Sequence, residues 1–145
     1  MQSVLKLYKM ENRIVSVETA ELAMKCGFDI ETDKGYYKHG SENDFVKLLL
    51  WVNVEEEKPE FGYAPTQSLL QKWLREKRID ITVITNWEKE NRVYYVGFSF
   101  VNHKNEIEMW FSKDENRNKI EYSKYEDALE VGLFESLKRV SETVA

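Results

Sequence analysis

Apolar residues return along this chain with two periods, and each change of period marks the end of one element and the start of another. The stretch SVETAELAMK (16–25) predicts a first helix, with Ser16 as N-cap and Glu18 placed to complement the helix dipole. Gly27 supplies a left-handed residue to end it, and Phe28 folds back on the last turn. A helix of about ten residues needs tertiary support. The pattern then shortens to that of strands. KGYYKH is aromatic and brief, GSEND (40–44) turns the chain, and FVKLLLWVNV alternates with Val46, Leu48, Leu50, Val52 and Val54 on one face. The acidic run EEEKPEFG (55–62) reads as a solvated connector.

A second helix follows in YAPTQSLLQKWLREK (63–77). Ala64 or Thr66 caps it, and Pro65 sits where a missing N–H costs nothing. Leu69, Leu70, Trp73 and Leu74 form its apolar stripe, with Gln67, Gln71, Lys72, Arg75 and Glu76 toward the polar side. Three strands come next. IDITVIT sets Ile79, Ile81 and Val83 on one face; RVYYVGFSFV does so with Tyr94, Val96, Phe98 and Phe100; EIEMWF with Ile107, Met109 and Phe111. This phase sends Tyr95 and Trp110 to the face away from the helices. Short polar connectors, EKEN (88–91) and NHKN (102–105), predict an antiparallel meander. After KDENRNK (113–119), Ser123 and Glu126 read as a capping box opening a last helix. Its stripe is Tyr125, Leu129, Leu133, Leu137 and Val140, with Ala128, Gly132 and Ser136 keeping part of the surface small.

The elements therefore predict an α+β fold. An α-β-β-β-α antiparallel meander over residues 64–140 carries two helices on one face. Residues 14–60 precede it with a helix and a β-hairpin, which extends the sheet or covers its open face. Two prolines and six glycines leave no linker in 145 residues, so a single domain is expected over 1–145. Residues 1–9 are expected to form a loose tail if Met10 is the natural start.

Composition then narrows the function. The chain is 42% hydrophobic and carries a net charge of −5, which disfavours a general affinity for nucleic acid backbones or anionic membranes. The longest apolar run, LLLWV (48–52), falls far short of the ~20 residues of a membrane span. A charged N-terminus is no secretory signal, and the lone Cys26 fits a reducing compartment, so a cytoplasmic location is expected. No cofactor is expected: the single glycines form no phosphate-binding loop. No metal is expected either, since His39, His103 and Cys26 share no ligand spacing. Cys26 ends a helix, where the dipole works against a thiolate, and reads as a small core residue. With no nucleophile elbow and no distinguishable acid/base pair, no catalytic residue is assigned and the chain is expected not to be an enzyme.

The expected role is binding of another macromolecule, with a protein as partner. A nucleic-acid-binding module is the alternative, using Gln67, Gln71, Lys72, Arg75 and Lys124. A third possibility is a hydrolase or nuclease with a divalent metal held by carboxylates.

Two resemblances bear on these expectations. The helix–three strands–helix order over 65–140 resembles the double-stranded-RNA-binding domain, which places Gln71 in LLQKWL at the position facing an RNA minor groove. EKEN lacks that family's histidine and Gly-Pro, and in SKYEDALE Lys124 is followed by Glu126 and Asp127 where the family has a lysine cluster. In wording, VSVETAELAMKCGFD, YAPTQSLLQKWLREK with IDITV, and YEDALEVGLFESLKRV are similar to small proteins of phages and prophages of gut anaerobic bacteria. That resemblance implies an accessory protein of a mobile element in a bacterial host and carries no catalytic residues.

Overall fold

A computed structural model describes residues 13–32, 34–38, 45–50, 61–88 and 91–144. Their order is α1 (Val17–Lys25), β1 (Lys34–Lys38), β2 (Phe45–Leu50), β3 (Phe61–Tyr63), α2 (Gln67–Glu76), β4 (Ile79–Glu88), β5 (Asn91–Val101), β6 (Ile107–Phe111) and α3 (Tyr125–Val144). The fold is α+β. The chain forms two compact units, one from residues up to Leu69 together with those from Leu137 onward, the other Leu70–Ser136. It passes between them inside α2 and inside α3, so no linker intervenes.

In the first unit the expected hairpin forms: β1 pairs antiparallel with β2, with an irregularity between Tyr37 and Lys38. The hairpin does not join the meander. It makes a separate sheet of order β2-β1-β3. The third strand, Phe61–Tyr63, is a correction to the connector expected over 55–62. Residues 51–54 of the alternating run, His39, and the tail over 1–9 lie outside the described residues. Helix α1 lies against β2 and β3. Its start is the expected one: Ser16 Oγ accepts from the Thr19 N–H at 3.2 Å. Its end is closed by Phe28 N–H to Ala23 O (2.9 Å) and Gly27 N–H to Met24 O (3.0 Å), with Gly27 at φ 98. Cys26 is buried, and its Sγ donates to the Leu137 carbonyl at 3.3 Å.

The second unit holds the meander, ordered β4-β5-β6. Thr66 proves to be the cap of α2, its Oγ1 accepting from the Leu69 N–H at 3.1 Å. Both helices lie on one sheet face. A Cβ built on Gly132 of α3 would stand 2.7 Å from Val96 Cγ2 and 2.9 Å from Ile81 Cγ2. Gln71 of α2 donates from Nε2 to the Ile81 carbonyl at 3.2 Å. Helix α3 closes its first turn from Ala128 N–H to Lys124 O, so Lys124 rather than Ser123 stands at the cap.

Two turns share one construction. Asn102 closes the β5–β6 turn: its N–H donates to Glu106 O, and its Oδ1 accepts from the Lys104 and Glu106 N–H groups at 2.9 Å each. Asp114 repeats the pattern with the Asn116 and Asn118 N–H groups. In each the fourth residue is left-handed, Asn105 at φ 62 and Arg117 at φ 67.

Candidate protein-binding face

Residues opposite one another in a ladder share a face, so the register assigns every side chain of the meander. Ile81 lies opposite Phe98 and Val83 opposite Val96, and these carry the helices. Trp110 lies opposite Phe98 as well. Its ring stacks on that of Phe98 with centroids 4.9 Å apart. Trp110 is therefore on the helix-bearing face, which corrects the expected phase of β6. Ile107, Met109 and Phe111 are the residues that point outward.

The outer face carries an apolar diagonal of Ile107, Met109, Phe111, Tyr95 and Ile84. One end of it is dressed by the segment after β6. Lys119 Nζ stands 4.5 Å from the centre of the Phe111 ring. The Tyr95 hydroxyl donates to Glu121 Oε1 at 3.2 Å. Phe111 itself lies over Gly97, where a Cβ would fall 2.7 Å from its ring. The rest is bare: Ile107 is 75% exposed, Met109 68% and Ile84 40%. Burying such side chains stabilises by roughly 1.5–3 kcal/mol each, so leaving three of them on one face forgoes a substantial gain. That exposure makes the outer face the candidate for docking.

The residues singled out for nucleic acid are placed differently from one another. Gln67 is buried, 2% exposed, rather than on the polar side of α2. That removes it from any contact surface. Gln71 spends its amide on the protein's own Ile81 carbonyl. Arg75 is exposed and faces Asp80 at 3.9 Å, an acid that opposes a phosphate there. Lys72 is exposed on the same helix, and Lys124 is exposed at the cap of α3, beside Asp127 and the buried Glu126. Stacking of single-stranded bases on a sheet needs aromatic rings on one face, and Tyr95 and Trp110, both expected on the open face, lie on opposite faces. Among the described residues no three of His, Cys, Asp and Glu converge as metal ligands, and no helix is long and apolar enough to cross a membrane.

Comparison of the chain with protein-family models, with characterised proteins and with solved structures finds no match.

Proposed function

We propose that this chain is a non-enzymatic binding protein whose partner is another protein, docked on the outer face of the meander. The observation that carries the reading is the exposure of Ile107 and Met109 beside each other on β6, at 75% and 68%. Phosphate contacts need cations, and among the described residues the strand positions facing Ile107 and Met109 are Val101 and Ser99, neither of them charged. The face offers branched and thioether side chains, the latter suited to adaptable apolar contacts. The three stretches similar to phage and prophage proteins support an accessory role for a mobile element in a bacterial cytoplasm.

The test compares the wild-type chain with an Ile107→Lys/Met109→Lys variant. Both positions are largely solvated, so the variant is expected to melt within a degree or two of wild type, surface changes being worth about 0.5 kcal/mol or less. Each tagged protein is used to recover partners from a lysate of the encoding strain. A protein retained by wild type and lost with the variant is the expected result. Recovery of the same proteins by both, or of none by either, sinks the assignment.

A further inference from the structure

The edge of β4 away from β5, which pairs with no strand among the described residues, has a backbone pattern that matches itself. Its direction follows from the neighbouring strand. Tyr94 exchanges N–H···O bonds with Tyr122 both ways at 2.9 Å, and the Val96 carbonyl accepts from Ser112 at 3.1 Å. The backbone groups of Tyr94 and Val96 thus point toward the β6 side. Their partners across the ladder, Thr85 and Val83, form non-hydrogen-bonded pairs with them, so the N–H and C=O of Thr85 and Val83 point out of the sheet. Ile81 has the same parity, and its outward carbonyl is the one that Gln71 occupies. Trp87 has it too, and its N–H is taken by Asn86 Oδ1 at 2.9 Å. Between these two stops, the outward groups of Val83 and Thr85 meet no partner among the described residues.

The geometry assigns this edge to a second copy of the chain: two β4 strands pair antiparallel about a twofold axis at Ile84. In that register Val83 of one copy faces Thr85 of the other, and the open donors and acceptors satisfy one another in four bonds. The blocked groups fit as well. Ile81 C=O and Trp87 N–H would be partners of each other, so their being satisfied internally strands nothing. Shifting the axis by one residue breaks this. Centred on Val83, the occupied Ile81 carbonyl leaves Thr85 N–H without an acceptor. Centred on Thr85, the occupied Trp87 N–H leaves Val83 C=O without a donor.

Side chains agree with the backbone. Residues 81–87, ITVITNW, contain no charge, no proline and no lysine, and the β4–β5 register runs unbroken from Ile79 to Glu88. Those are the devices by which edges are kept apart, and β4 has none within this window. Ile84 would meet Ile84 of its mate, and Thr82 would meet Asn86. Beyond the window the same register sets Asp80 opposite Glu88 of the mate, an acid facing an acid at each end that weakens the pairing; Arg75, 3.9 Å from Asp80, offsets part of that cost. The other edge, β6, is only five residues long and carries Glu108 as its second residue, with Glu106 just before the strand.

Sedimentation and directed crosslinking test the assignment on the full chain. Wild type is expected to show a dimer fraction that rises with concentration. Thr85→Pro deletes only an outward N–H, so it is expected to melt like wild type and to stay monomeric. Ile84→Lys sets two like charges across the axis and is expected to do the same; because Ile84 also belongs to the apolar diagonal, its effect counts for this edge when Ile107→Lys/Met109→Lys keeps the dimer, which is the expected result. Ile84→Cys, with the buried Cys26 silent, is expected to give a disulfide-linked dimer under oxidised glutathione, since facing Cα atoms stand about 4.5 Å apart. Thr82→Cys and Asn86→Cys alone are expected to stay unlinked, and to link when mixed. A chain that remains monomeric at millimolar concentration overturns the assignment. So does a dimer that survives Ile84→Lys, or one lost with Ile107→Lys/Met109→Lys, which would belong to the apolar face.

Discussion

Gly132 shows how one residue sets a helix against a sheet. With no Cβ, α3 approaches until Val96 and Ile81 fill the space where that atom would stand, at 2.7 and 2.9 Å. Both neighbours are β-branched and stiff about χ1, so neither turns aside cheaply. Gly132→Ala gains about 1 kcal/mol of helix propensity, but overpacking a filled core costs about 1–3 kcal/mol. The net expectation is a loss on the order of 1 kcal/mol, read as a lower urea midpoint with unchanged slope. A midpoint equal to wild type would mean that the methyl fits. The small stripe of Ala128, Gly132 and Ser136 was legible in the sequence, and all three residues are buried. Its significance was legible too, because small residues on an otherwise long-chained helix face have few purposes other than close approach.

At the scale of elements, periodicity located the helices and the five longer strands, and local chemistry located their ends. Ser16, Gly27 and Thr66 act as the sequence predicts because a cap depends on neighbours within a few residues. Three features escaped. The cap of α3 falls at Lys124 rather than at Ser123. Phe61–Tyr63 is three residues long, too short to display a period beside an acidic run. The phase of β6 escaped for another reason. Alternation separates two faces without saying which is covered, and a shift of one residue exchanges them. On β4 one face is polar at Asp80 and Thr82, so the choice is plain. On β6 both faces are apolar, Ile107 and Met109 against Trp110. What decides is the turn: Asn102 and the left-handed Asn105 close a loop that sets Val101 opposite Ile107, carrying Ile107 outward with Val101. The candidate site was hidden in that parity. Gln67 was misplaced more simply, since polarity does not forbid burial where a side chain finds bonds. Gln71, by contrast, ties an element together. Gln71→Ala frees the Ile81 carbonyl at the edge of β4 and is expected to cost about 1 kcal/mol, measured by denaturation of the monomer at low concentration. No loss would show that water replaces the amide without penalty.

For the molecule as a whole, the charge of −5 and the bare apolar diagonal favour a partner recognised by shape and apolar area over one recognised by phosphate. The two compact units share α2 and α3, so a cut at residue 69 or 136 divides a helix rather than a linker. The shortage of proline and glycine foreshadows this arrangement, whereas the separation of the strands into two sheets is a matter of long-range pairing that no local pattern encodes. One local device has a bearing on how the chain reaches its native state. The Asn102 turn satisfies itself, its side chain holding two N–H groups without help from any distant residue. Closure of β5 on β6 thereby requires little ordering of the remaining chain, and hairpins of this size close within about 1–10 μs. Asn102→Ala is accordingly expected to slow refolding nearly in proportion to the stability lost while leaving the unfolding limb of the chevron almost unmoved. A change confined to the unfolding limb would place this ribbon late. Speed of collapse, on this view, is written into a pentapeptide that closes on its own hydrogen bonds.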